Sequence, residues 1–255
     1  MAPARARLAR TLTLGDDVRA AYAGGLARGT FVIEAPVAGT VRAIGLAGFD
    51  FVVLDLEHSS SGVEALGPLI AEARAIDLPA VVRVWANDAA LIAKVVDAGA
   101  NGVMVPHVDS ADAARRAALA ARWSPRGERG VAPLIAYGAV EQRSQIDDAT
   151  LVIVQLEGAA AIGSAAAIAA VDGVDALFVG PYDLAESLGH PGDVAHPDVV
   201  AAAEAVARDA GEGVMLGIYV DDPAASAAWA QRGFRLQCVS FDGAMLLRGA
   251  RQTLA

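Results

Sequence analysis

Residues 51–60 read FVVLDLEHSS. Phe51, Val52, Val53 and Leu54 are strand formers, and the run ends abruptly in Asp55, Glu57 and His58, three ionisable groups within four positions. A core would not tolerate them and a solvated surface would not need them, so this is a strand that delivers chemistry at its end. The design recurs in LVIVQLE, Leu151 to Glu157, and in ALFVGPYD, Ala176 to Asp183, which turns at Gly180-Pro181. Three apolar strands closing in polar groups point to an active site at one face of a parallel sheet or barrel.

Outward from these strands the chain alternates. Strands are expected at residues 30–34, 50–55, 80–84, 102–105, 151–156, 176–179, 214–219 and 236–241. Helices are expected at 16–26, 36–46, 62–75, 88–98, 111–123, 160–170, 197–209, 223–232 and 245–254. Eight strands apolar on both faces, each followed by a helix, predict a (β/α)8 TIM barrel, and 255 residues suit one such domain over 1–255. Residues 1–15 read as a short flexible arm. Residues 124–150, rich in proline and glycine, form a connection too long to be ordinary and read as a functional or subunit-contact loop. No strand is followed by a phosphate-binding glycine loop, so a nucleotide fold has no support.

Composition excludes several classes. Hydrophobic residues make up 55% of the sequence, inflated by alanine, and no bulky apolar run is long enough to span a membrane. A net charge of −10 makes nucleic acid an improbable partner. The start, MAPARARLARTLTLGDD, lacks the apolar segment of a secretory signal, so a cytoplasmic protein is expected. The one cysteine, Cys238, excludes an internal disulfide and reads as a small buried hydrophobe. The one lysine, Lys94, lies off the apolar face of a helix. A lysine Schiff base at a strand end is thereby removed, and carbonyl chemistry would need a metal ion.

In a barrel the strand ends converge. The mouth would gather Asp55, Glu57, His58, Arg83, His107, Gln155, Glu157 and Asp183. Glu157 and Asp183, from adjacent strands, make an oxygen-rich pair suited to magnesium, manganese or cobalt; the alternative is a helix cap or a solvated acid. Arg83, in PAVVRVWAND, needs an anionic partner, which is either a substrate oxygen or an internal acid. His58 has a carboxylate three residues earlier and reads as a general base. His107 lines the pocket or is structural, and His190 and His196, in a turn-rich loop, read as cap or turn residues. Asp97 opposes its helix dipole in the last turn of its helix, either as a tolerated surface charge or as the partner of a cation, in this chain or across a subunit boundary.

Taken in order, FDFVVLDLEH, LPAVVRVWAND, GANGVMVPHV, RWSPRGERGV, VIVQLE and GVDALFVGPYDLAESLGH resemble the HpcH/HpaI aldolase family, the metal-dependent class II pyruvate aldolases. The likeness runs from about Gly29 to Arg248. It implies a TIM barrel assembled as a homohexamer, a trimer of dimers, whose C-terminal helix packs on a neighbouring subunit. It implies cleavage of 4-hydroxy-2-oxo acids to pyruvate, or hydroxypyruvate, and an aldehyde. By resemblance the base is His58 oriented by Asp55, the stabilising cation Arg83, and the pyruvate-binding residue Gln155. The metal ligands are Glu157 and Asp183, backbone amides at Tyr182 and Asp183 receive the carboxylate, and Asp97 of an adjacent subunit raises the basicity of the histidine. This chain departs in Leu56 and Tyr182, where family members carry glycine or alanine, and in its own loop at Ala132 to Ser144.

Two rivals remain at this stage. An acyl-CoA lyase of the citramalyl- or malyl-CoA type would keep the barrel and metal, but needs arginines for the CoA phosphates that this chain does not cluster at its mouth. A non-catalytic metal- and oxo-acid-binding barrel would not need the histidine, acid and arginine set.

Overall fold

The computed structural model describes residues 10–131 and 143–254. Eight parallel strands close on themselves in sequential order: β1 (Ala27–Val32), β2 (Phe51–Asp55), β3 (Ala80–Arg83), β4 (Gly102–Val105), β5 (Leu151–Leu156), β6 (Ala176–Val179), β7 (Met215–Val220) and β8 (Leu236–Phe241). The helices are α1 (Gly15–Ala23), α2 (Ala38–Leu46), α3 (Leu66–Ala75), α4 (Ala89–Asp97), α5 (Ala111–Ala121), α6 (Arg143–Ala149), α7 (Ala159–Gly163), α8 (Ala165–Ala169), α9 (Pro181–Ser187), α10 (Pro197–Asp209), α11 (Pro223–Gln231) and α12 (Asp242–Leu254). The fold is a (β/α)8 TIM barrel.

Successive side chains of a strand point to opposite faces, so each strand splits into an outward and an inward row. The outward rows, such as Val52 and Leu54, Val103 and Val105, and Val152 and Val154, pack against the helices in one continuous core. The inward rows fill the barrel with Phe31, Phe51, Val53, Val81, Met104, Ile153 and Phe178. Space inside is tight. A Cβ on Gly29 would come within 2.3 Å of the Phe51 ring, so the Phe51 side chain fits only because its neighbour on β1 has none. Cys238 belongs to this inner layer.

The inward rows place the chemistry. Phe51 and Val53 are followed in step by Asp55, Val81 by Arg83, Ile153 by Gln155 and Glu157, and Phe178 by Gly180. The rows of β2, β3 and β5 are apolar through the barrel and turn polar at the carboxyl end, where the strand ends share one mouth. The opposite end is sealed by α1, whose Val18 joins the inner core and whose Tyr22 hydroxyl accepts the Leu216 amide at 3.1 Å.

Sequence and structure differ in several elements, among them the first strand, expected at 30–34 and found at Ala27–Val32, and the last helix, which begins three residues early at Asp242. The helix expected at 62–75 starts with a 3-10 turn, Val63–Ala65, and the helix expected at 160–170 is broken at Ser164 into α7 and α8. The turn expected at Gly180-Pro181 opens the short helix α9, with Pro181 at its first turn, where a missing amide hydrogen costs nothing. The connection at 124–150 contains α6. Residues 132–142, which hold most of the distinctive loop, and residues 1–9 of the arm lie outside the described residues. Leu12 and Leu14, at the far end of that arm, are buried, and the Thr11 carbonyl accepts from Asn101 at 2.9 Å.

Candidate active site

A cavity of about 300 Å³ opens at the mouth. Six of the residues picked out from sequence line it: His58, Arg83, Gln155, Glu157, Tyr182 and Asp183. Its wall has two halves. The ends of β2, β3, β5 and β6 supply the polar side, whereas β1, β7 and β8 supply Phe31, Ile33, Tyr219 and Phe241.

Asp55 and Arg83 are register partners on β2 and β3. Their side chains form a fork: Arg83 Nε donates to Asp55 Oδ1 and Nη2 to Oδ2, both at 2.7 Å. Arg83 Nη1 lies 3.3 Å from Glu57, and the guanidinium sits over the Phe31 ring. Burial opposes the Arg83 charge, but Asp55 and Glu57 outweigh it and raise its pKa. The internal acid therefore exists, and Arg83 still faces the cavity.

Asp55 was expected to orient the His58 side chain. Its carboxylate instead accepts the backbone amides of Glu57, at 3.0 Å, and His58, at 3.2 Å. It shapes the turn that carries the histidine, and it is committed to Arg83. The imidazole itself is 61% exposed, with Glu57 3.9 Å from its Nε2.

Glu157 is buried, and His107 holds one of its oxygens: both the His107 amide and Nδ1 lie 2.9 Å from Oε2. His107 adopts a left-handed backbone, φ 54°, to make this double contact. Its Nε2 reaches Glu57 at 3.5 Å, so His107 bridges two acids. The other Glu157 oxygen lies beside Gly180, where an added Cβ would come within 2.9 Å of it. Burial raises the Glu157 pKa, and the charge of Asp183 adds to the rise. Burial likewise lifts Glu57, against the pull of Arg83.

Glu157, buried with one oxygen held by His107, and Asp183, exposed in the first turn of α9, line the same cavity, and such a pair fits a hard divalent cation held by carboxylates and water. Gln155 Oε1 is buried without a hydrogen-bond partner, which adds an acceptor at the same wall. A different cluster, His190, His196 and Asp198, gathers potential ligand atoms within 4.8 Å of one another. Its two rings stack at 3.4 Å, 16° apart, so their in-plane lone pairs do not converge on one point. His196 caps α10 through the Asp198 amide, as its turn context suggests.

Asp97 is not brought to the mouth of its own chain. It ends α4, and Asn101 just beyond it donates to the Ala80 carbonyl at the start of β3, so it lies at the barrel's amino end. Its compensating cation is Arg129, 3.4 Å away, itself buried against Trp123 and shifted down to about 10 by burial.

Sequence reasoning gave no role to Glu57 and passed over Tyr219 and Asp221. The Tyr182 hydroxyl donates to Asp221 at 2.8 Å, and the Tyr182 and Tyr219 rings lie 6.1 Å apart. Burial, then Asp221, pushes Tyr182 up to about 12 and lifts Tyr219 as well. The signal was available: LGIYVDD is another apolar strand closing in polar groups.

With this geometry in view, comparison is decisive. The family model for HpcH/HpaI aldolase/citrate lyase matches residues 31–249. The chain belongs to that family. It is similar to a 2-dehydro-3,6-dideoxy-6-sulfogluconate aldolase of Pseudomonas putida, 36% identical over 89% of this chain and 90% of the relative. It is also similar to a pyruvate aldolase of Rhizobium etli, 38% identical over 82% and 84% of the two chains. Among solved structures, an HpcH/HpaI aldolase/citrate lyase family protein from Burkholderia cenocepacia superposes with a TM-score of 0.84 at 36% identity, covering 90% of this chain and 93% of the other.

Proposed function

We propose that this HpcH/HpaI family member is a divalent-metal-dependent pyruvate aldolase, a lyase that reversibly cleaves 4-hydroxy-2-oxo acids to pyruvate, or hydroxypyruvate, and an aldehyde. The observation that carries the reading is the meeting of an exposed imidazole, a guanidinium and two carboxylates, the buried Glu157 and the exposed Asp183, in one small cavity of a chain with no lysine there. Glu157 and Asp183 would hold magnesium, manganese or cobalt. When bound, the cation supplies a Lewis acid that polarises the 2-oxo group.

The chain's own groups do the rest. The first-turn amides of α9, at Tyr182 and Asp183, receive the substrate carboxylate, since such amides have no partner within the helix. Gln155 offers a side-chain amide to the pyruvoyl half. His58 takes the proton of the C4 hydroxyl, directly or through water, as the C3–C4 bond breaks and the aldehyde forms. The electron pair passes to the pyruvoyl half as an enolate, whose developing negative oxygen Arg83 faces. A proton returned to C3 yields pyruvate. Asp55 acts indirectly, holding both the His58 turn and the Arg83 fork. Association of copies would let Asp97 of one reach His58 of another, and Leu246, Leu247 and Leu254, exposed on α12, provide apolar surface for a neighbour to cover.

The test is pyruvate release from a 4-hydroxy-2-oxo acid, read with lactate dehydrogenase and NADH, before and after chelation. Loss of turnover on chelation and its return with manganese or magnesium is expected. Full-speed cleavage by the stripped protein overturns the metal reading, and no cleavage of any 4-hydroxy-2-oxo acid overturns the activity.

A further inference from the structure

Resting on the aldolase reading, the polarity of the cavity wall separates the two halves of the substrate. The pyruvoyl half belongs with Glu157, Asp183 and Arg83. His58 stands on the turn after β2, whose neighbours are β1 and β3; the β3 side belongs to Arg83, which leaves the side built by β1, β7 and β8 for the chain beyond C4. That side presents Phe31, Tyr219 and Phe241, with Tyr182 completing it across the ring.

Charge on this side runs one way. Among the described residues lining the cavity, Arg83 is the one guanidinium and no lysine is present, and Arg83 is spent on Asp55, Glu57 and the enolate. Asp221, exposed just after β7, receives the hydroxyl of the lining residue Tyr182 at 2.8 Å. The phenol oxygen that remains can only accept further hydrogen bonds. An aldehyde bearing a carboxylate, sulfonate or phosphate at its far end would meet the Asp221 carboxylate, with no cation beside it among the described residues of this chain that line the cavity. We infer that the acceptor half of this site selects uncharged aldehydes, and that Tyr182 and Asp221, with the Phe31 and Tyr219 rings, are its specificity-determining residues. The inference sets this chain apart from aldolases whose aldehyde product is an anion.

A matched pair of acceptors tests it: succinic semialdehyde and its methyl ester, alike in length and differing in charge, each condensed with pyruvate by the manganese-loaded enzyme. The ester is expected to exceed the acid in kcat/KM by roughly tenfold or more, the effect of a like charge about 8 Å away in a partly wetted site. Raising the salt concentration shrinks that ratio by screening. Asp221→Asn shrinks it at low salt, by at least about threefold on the same scale, and moves the KM for aldehyde more than the KM for pyruvate. Equal rates for acid and ester, or a ratio indifferent to both salt and Asp221→Asn, overturn the inference while leaving the aldolase reading in place. The salt series on the unaltered protein stands even if the variant fails to fold. Turnover with neither these nor other aldehydes instead sinks the aldolase reading on which it rests.

Discussion

At the scale of single residues, the proposed base and the proposed cation differ in what else they hold up. The His58 ring is largely exposed, so His58→Ala should lower kcat for aldol cleavage by about 10²–10⁴-fold with an unchanged unfolding midpoint. A variant that keeps its rate removes the base assignment. Arg83→Ala should lose both activity and stability, because it strands the buried Asp55 carboxylate; breaking one side of such a pair costs roughly 3–5 kcal/mol. Denaturant titration beside kinetics separates the two losses. Glu157 carries a third expectation. Its pKa is raised, so an incoming cation must displace a proton from it up to a higher pH than from an ordinary glutamate. Metal affinity should therefore climb with pH across the window above the ordinary carboxylate range, with proton release visible by calorimetry in two buffers, and Glu157→Gln should abolish binding. Affinity independent of pH counts against Glu157 as a ligand. The sequence exposed these residues because charge at the end of an apolar run is costly unless used. It did not reveal that Asp55 faces Arg83 sideways across the ladder, since lateral partners depend on register and not on spacing along one strand.

At the scale of elements, seven of the expected strands end within one residue of the observed strands, because uninterrupted runs such as LVIVQL have no amphipathic alternative to a buried parallel strand. The short helix α9 escaped because seven residues after Gly-Pro look like a turn until tertiary packing of Leu184 and Ala185 selects a helix. One junction illustrates what periodicity cannot see. The first residue of α12, Asp242, accepts three successive amides past β1, from Ile33 at 3.0 Å, Glu34 at 3.1 Å and Ala35 at 2.7 Å. This clamp fastens the last helix to the first strand beside Phe31 and Ile33 of the cavity. Asp242→Ala leaves three amides without their acceptor and should destabilise the protein by about 2–4 kcal/mol, on the scale of charge-assisted hydrogen bonds left unmade. An unchanged denaturation midpoint would show that the clamp is ornamental.

At the scale of the whole molecule, charge and burial pull the same way. The chain carries a net −10, and Glu57, Asp97, Asp147 and Glu157 all have raised pKa values, in each case first because of burial. A carboxylate whose folded pKa lies above its unfolded one binds protons more tightly when folded, so its contribution to stability falls as pH rises through the interval between the two. The metal-stripped protein should thus melt at a higher temperature as pH is lowered from neutral toward that interval, and a midpoint that drops instead contradicts the assignment. The barrel as a whole was legible from eight repeats of one pattern, whereas the aromatic half of the mouth was not, because Phe31, Tyr219 and Phe241 look like core until closure turns them toward the cavity. Closure has a practical corollary for Cys238. The barrel wall encloses the protein's one sulfhydryl and burial keeps it in the unreactive thiol form. A cysteine introduced anywhere on the surface would become a unique handle, so a fluorophore, spin label or solid support can be attached by maleimide at a chosen point without first engineering the native residue away.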